Sequence, residues 1–170
     1  MPMPVLIRPD VGAGIGLGHL QRCLALAQAF IHRGSDVVVL AVPSDDTRAR
    51  VAAIGGQFAA LELGSEGEGG ARDLASVRRG VGTFGARIVV VDSYRVDAAF
   101  LRELRVAGCV LAVLDDVGDR PVEADVIINT GAHASRAMYA GADRSTQLLL
   151  GPRYALLIQD AAPRPVRTFG

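Results

Sequence analysis

Gly12, Gly14, Gly16 and Gly18 occupy alternate positions in "VGAGIGLGHLQRCLALAQAF", residues 11–30, and the run turns directly into a helix-like segment opening on His19. Glycines without a Cβ let backbone approach a ligand closely. A helix starting near Gly18 would present unpaired N–H groups and a positive dipole end, suited to a partly anionic ligand. An imidazole there can accept a proton or orient a water, or it can simply pack the helix start. Composition leaves both roles open.

Other polar groups stand where apolar runs end: Arg8 and Asp10 after "PVLIR", Asp92, Ser93 and Tyr94 after "RIVVV", Asp115 and Asp116 after "CVLAVL", and Asn129 and Thr130 after "DVII". Two acids on neighbouring strands could tune a histidine or bind sugar hydroxyls, while "DDVGDRP" also reads as ordinary turn composition. A dinucleotide fingerprint, G-x-G-x-x-G, fails by register. Counted from Gly12, Gly14 or Gly16, its third glycine falls on Leu17, His19 or Gln21. The second apolar run ends in Ala41, Val42 and Pro43, with no acid for a ribose.

The elements that would carry these residues follow from hydrophobic pattern. Continuous β-branched runs at 4–8, 36–42, 87–92, 109–115 and 125–129, with a weaker one at 57–63, read as strands covered on both faces. Between them, Leu20, Leu24, Ala27 and Ile31 share one helical stripe, Phe100, Leu101, Leu104 and Ala107 another, and "DDTRARVAAIGG" ends in a glycine pair suited to a C-cap. Strand alternating with helix implies a doubly wound, Rossmann-like α/β domain with a parallel sheet, whose ligands bind at the carboxyl ends of the strands. "GSEGEGGARD", residues 64–73, reads as a mobile surface loop, and the proline- and arginine-rich residues 161–170 as a tail or linker.

Bulk properties bound the function. The chain has 170 residues, enough for one well-buried domain. Eighteen basic residues balance 18 acidic ones, which removes the electrostatic footprint of nucleic-acid or anionic-membrane binding. All the basic residues are arginine, so Schiff-base and phosphate-loop lysine chemistry is excluded. Cys23 and Cys109 lie unpaired in apolar runs, no leader precedes the first strand and no run approaches membrane-spanning length, so a reduced, cytoplasmic, soluble protein is expected. His32 and His133 lack partners at metal-ligand spacing, and neither metal nor cofactor is expected.

Taken together and in order, "RPD" at 8–10, "GIGLGHLQRCLALA" at 14–27, "VVVDSYRVD" at 89–97, "VLDD" at 113–116, "DVIINTGA" at 125–132 and "LLLGPRYALL" at 148–157 resemble the amino-terminal half of the UDP-sugar hydrolases of pseudaminic acid biosynthesis. The similar spore-coat polysaccharide proteins share the same two-domain GT-B plan. The resemblance covers nearly the whole chain, and its most diagnostic part is G-x-G-H-x-x-R at Gly16, Gly18, His19 and Arg22. It implies cleavage of UDP-2,4-diacetamido-2,4,6-trideoxy-β-L-altropyranose with inversion, by a water that His19 orients or deprotonates. It places Arg8, Asp10, Gly16, Gly18, Arg22, Asp92, Tyr94, Asp115, Asp116 and Asn129 around the substrate.

Val11 and Gly12 depart from the small hydroxyl residues of similar sequences. A larger departure is that residues 1–160 match the amino-terminal domain and the nucleotide-binding carboxyl-terminal domain is missing from the chain. The expectation is an enzyme half, inactive alone, whose partner domain is supplied in cis or in trans. Two other readings stand beside it: a glycosyltransferase half in which His19 activates an acceptor hydroxyl, and a non-catalytic sugar-binding or partner-docking module.

Overall fold

The computed structural model describes residues 3–12, 17–105 and 108–158. Seven strands form one sheet, β1 Val5–Pro9, β2 Val37–Ala41, β3 Gln57–Ala60, β4 Ile88–Asp92, β5 Val110–Leu114, β6 Val126–Asn129 and β7 Gln147–Leu150. Their order is β3-β2-β1-β4-β5-β6-β7 and every pairing is parallel. The chain winds outward from β1 to β3, returns to lay β4 on the other side of β1, and winds outward again. This makes β1 and β4 the switch point, where a doubly wound sheet opens a crevice.

Four α-helices cover the faces: α1 Gly18–Ile31, α2 Asp45–Ala53, α3 Ala71–Phe84 and α4 Ala98–Leu104. Alternation along the strands sorts side chains between the two layers. In β1, Leu6 joins Val77 of α3 and Leu101 and Leu104 of α4, whereas Val5 and Ile7 join Cys23 and Ala27 of α1. In β4, Val89 and Val91 face the α3/α4 layer and Val90 faces α1. Both faces are buried, so the strands read as continuous apolar runs.

The same alternation decides where the polar strand ends point. Arg8 follows Leu6 onto the α3 face, and Asp92 follows Val90 onto the α1 face. Local signals set the helix ends. Ser44 caps α2 by accepting from the Thr47 N–H at 3.1 Å, Asp97 caps α4 through the Phe100 N–H at 2.8 Å, and Gly55 leaves α2 at φ +78°.

The expected strands at the first five runs are all present, and the weaker run at 57–63 shortens to Gln57–Ala60. Two elements go beyond the sequence expectation. One is β7, whose "QLLL" lacks the β-branched residues that mark the other strands. The other is α3, whose buried stripe is diluted by arginines and glycines. The segment 64–73 is a correction. Its last three residues open α3, Asp73 is fully buried, and a bridge joins Gly64 to Gly67. Ala107, Gly14, Gly16 and residues 161–170 lie outside the described residues. Among the described residues no helix is long and apolar enough to cross a membrane, and both cysteines are free thiols.

Leu6 is fully buried at the centre of the sheet, against Gly80 of α3, where an added Cβ would come within 3.3 Å of its Cδ1. Leu6→Ala should therefore lower the unfolding free energy by about 2–5 kcal/mol in chemical denaturation, since the close helix–sheet contact cannot collapse around the void. A loss well below 1 kcal/mol would show that this layer repacks freely.

Candidate functional site

His19, Arg22 and Cys23 stand at i, i+3 and i+4 on α1 and share the face that packs on the ends of β1 and β4. Asp92, fully buried at the end of β4, meets all three. Its Oδ1 lies 2.5 Å from His19 Nδ1 and 2.5 Å from Arg22 Nη2, and its Oδ2 accepts from Arg22 Nε at 2.5 Å and from Cys23 Sγ at 3.5 Å. Arg22 thus forks onto one carboxylate with two nitrogens, the planar geometry that suits guanidinium to carboxylate. Its remaining nitrogen, Nη1, donates to Asp116.

The contacts of His19 define its tautomer. Arg22 Nη2 also stands 3.4 Å from Nδ1, but the much shorter approach to an ionised carboxylate means that Nδ1 carries the proton and donates to Asp92. Nε2 takes part in no hydrogen bond among the described residues, so in this tautomer it is the ring nitrogen left to accept one. Tyr94 stands edge-on to the imidazole, ring centroids 4.6 Å apart, while its hydroxyl donates to Asp116 at 3.0 Å. A histidine oriented by a buried aspartate, with the far nitrogen unclaimed, is the arrangement of a general base.

A second cluster lies on the opposite face of the sheet. Arg8, fully buried, donates to Asp10 through Nη1 and to both oxygens of Asp73, with Nε to Oδ1 at 3.2 Å. Asp10 then accepts the Tyr94 N–H at 3.3 Å, and its own N–H donates to the Asp92 carbonyl at 2.8 Å. Burial opposes the charge of Arg8, yet the two carboxylates more than offset it and hold its pKa above the ordinary arginine value. Arg8 is therefore a strut between carboxylates, and Asp10 is the member of this group that lines a cavity. That cavity, about 380 Å³, lies between the β1–α1 connection and α2, bordered by Asp10, Val11, Leu17, Leu20, Ser44 and Thr47 among others.

The remaining expected residues separate into two groups. Asp116 joins the cluster through Arg22 and Tyr94. Asp115 and Asn129 are buried and pair with each other through Tyr139, whose hydroxyl donates to Asp115 Oδ2 at 2.9 Å and accepts from Asn129 Nδ2 at 2.9 Å. Asp115 also accepts the Gly118 N–H at 3.0 Å and Asn129 the Gly131 N–H at 2.9 Å. These two bind the ends of β5 and β6 together. Gly18 opens α1, with no side-chain cap on that helix, and Gly16 lies outside the described residues.

Sequence reading missed Asp73 and Arg120. The only signal for Asp73 was Arg8 itself, an arginine inside a strand end that demanded a buried counter-charge. Arg120 gives no such signal. It reaches across from the β5–β6 connection and donates to the Ser93 carbonyl at 2.5 Å and to the Tyr94 carbonyl, fixing the loop that carries Tyr94. Among the described residues no group of three or more His, Cys, Asp or Glu side chains is arranged to hold a metal ion.

Burial would raise the Asp92 carboxyl, but the bonds from Arg22 and His19 outweigh it and hold its pKa below the ordinary carboxylate value. A carboxylate lowered in the folded state contributes stability in full above its unfolded value near 3.9, and the contribution is lost as pH falls through the folded value. The unfolding free energy should therefore drop on acidification below about pH 4, and Asp92→Asn should flatten that drop in denaturation curves between roughly pH 5 and 2.5. Identical pH slopes in the two proteins would contradict the role given to Asp92.

No family model matches the chain, and no curated protein matches it. Among solved structures it is similar to MurG of Acinetobacter baumannii, with 14% identity, 96% of this chain and 48% of that chain covered, and a TM-score of 0.58. A variant short-chain dehydrogenase/reductase of Serratia marcescens matches at 13% identity over 85% of this chain and 81% of that one, with a TM-score of 0.51. A UGT transferase from Siraitia grosvenorii in complex with UDP matches at 16% identity over 66% of this chain and 27% of that one, with a TM-score of 0.47. The chain spans about half of the MurG chain and about a quarter of the UGT chain. Its fold is a Rossmann-like doubly wound domain.

Proposed function

We propose that this chain is one half of a GT-B enzyme that transfers a sugar from a nucleotide sugar to an oxygen nucleophile. His19 is the base. The observation that carries this reading is the Asp92-oriented imidazole at the β1/β4 switch point, with Nε2 unclaimed. In the step, Nε2 takes the proton of the attacking hydroxyl as its oxygen bonds to the anomeric carbon. The bond from that carbon to the diphosphate breaks, and the nucleoside diphosphate leaves with the electron pair. Asp92 holds the imidazolium that forms, as a buried carboxylate does behind a catalytic histidine.

The charge distribution supports a nucleotide held elsewhere. Two arginines at this edge are committed to carboxylates, Arg8 to Asp10 and Asp73 and Arg22 to Asp92 and Asp116, while Arg120 donates to two carbonyls and keeps a buried Nε without a partner. None of the residues lining the cavity beside Asp10 is basic. A second domain, in cis or in trans, would then supply the diphosphate site. A dehydrogenase reading, which the fold alone would allow, lacks both the glycine register and the acid after β2.

Hydrolysis is the second reading, favoured by the G-x-G-H-x-x-R sequence at residues 16–22 and its resemblance to the UDP-sugar hydrolases. Product analysis separates them: a glycoside that forms only when an alcohol is added marks transfer, and free sugar released without one marks hydrolysis.

In the assembly with its nucleotide-binding domain, His19→Ala should lower kcat by about 10²–10⁴-fold while nucleotide affinity stays within about twofold. Turnover at the wild-type rate would remove His19 from the chemistry. Calorimetric titration of UDP into this chain alone should give no binding tighter than about 1 mM, and micromolar affinity would place the nucleotide on this half instead.

A further inference from the structure

Residues 64–73 run from the β3–α3 connection into the first turn of α3, and their tip leans on the loop that presents Tyr94. Gly69 is at φ +81°, where a Cβ would stand 2.4 Å from the Arg95 carbonyl oxygen, so only glycine lets the two backbones approach this closely. Its N–H donates to Asp73 Oδ2 at 2.8 Å. The neighbouring Glu68, its side chain 7% exposed, is ion-paired with Arg95. Asp73 takes two nitrogens of Arg8 and leaves Nη1 for Asp10, whose second oxygen holds the Tyr94 N–H. Two routes therefore run from this segment to Tyr94, one through Arg8 and Asp10 and one through Arg95.

We infer that Asp73 is a positioning residue for the reaction, and that residues 64–73 form a brace which sets Asp10 against its cavity and Tyr94 against His19. This rests on the reading of His19 as the base. The physical basis is the fixed fork of guanidinium: its donors lie in one plane, so a carboxylate that engages two of them sets the direction of the rest. Without Asp73, Arg8 would turn its fork fully onto Asp10 and draw that carboxylate off the Tyr94 amide. The cluster holds one cation and two anions, so Asp73→Asn leaves a charge-balanced Arg8–Asp10 pair and a side chain of nearly the same shape.

Amide hydrogen exchange reads the brace without reference to any reaction. In Asp73→Asn, exchange at the Tyr94 N–H should quicken by about tenfold or more, the effect of releasing a hydrogen bond to a charged group, while amides of β5 and α2 keep their native rates. Glu68→Gln, which keeps the side chain's size and removes only the charge paired with Arg95, should quicken it by about two- to threefold, and it decides the matter alone if Asp73→Asn does not fold. In the active assembly Asp73→Asn should lower kcat with nucleotide affinity unchanged, a split that loss of folded protein alone would not produce. Native exchange at Tyr94 in both variants overturns the brace, as does unchanged kcat in a folded Asp73→Asn assembly. Faster exchange together with a wild-type assembly that transfers no sugar would leave the brace standing and overturn the proposed function instead.

Discussion

Asp92 carries a charge in a place with no solvent exposure, and the geometry of the whole edge follows from how that charge is answered. A buried carboxylate is tolerated only when hydrogen-bond donors replace its water. Arg22 gives two, His19 gives one and Cys23 adds a weak fourth. Because all three donors come from one face of α1, satisfying Asp92 fixes the roll of that helix over the sheet. The same contacts point Nε2 of His19 away from the protein's own acceptors. The cysteine pays no catalytic role here: burial and the adjacent Asp92 carboxylate hold its thiol far above its ordinary pKa, so it is a packing residue with a weak donor.

The sheet extends this logic to both faces. Strand alternation sends Asp92 to the α1 layer and Arg8 to the α3 layer, so each layer meets one buried charge at the switch point. Each is neutralised from a helix first turn or its flank, by Arg22 and His19 in one layer and by Asp73 in the other. The two clusters touch through main chain, because the Asp10 N–H bonds the Asp92 carbonyl and Asp10 holds the Tyr94 amide. Tyr94 is the point where they meet. It is fixed at its N–H by Asp10, at its carbonyl by Arg120 and at its hydroxyl by Asp116, while its ring remains half exposed beside His19.

Much of this was legible in the sequence, and the reasons are local. Strands buried on both faces have to be continuous β-branched runs, so β1, β2, β4, β5 and β6 could be read directly, and their ends named His19, Asp92, Tyr94 and Asp116 as neighbours. What could not be read depended on partners distant in sequence. Composition marks Asp115 and Asn129 as polar groups at strand ends, but it does not reveal that Tyr139 ties them to each other. Residues 64–73 look flexible because glycine and acid dominate them. Their order comes from Arg8, 65 positions away from Asp73, and from the Arg95 backbone. A strand such as β7, one glutamine and three leucines, carries no β-branched signal at all.

The tautomer of His19 is the most direct test of the claim that Asp92 prepares this imidazole to act as a base. A multiple-bond proton–nitrogen correlation spectrum of the labelled chain would read it, recorded at a pH where the imidazoles are neutral and assigned with His32→Gln and His133→Gln variants. The expected result is a protonated Nδ1 and a bare Nε2 at His19, with that preference lost in Asp92→Asn. A proton resident on Nε2 in the wild-type chain would contradict it, because the nitrogen that Asp92 leaves free would then be a donor with no capacity to accept.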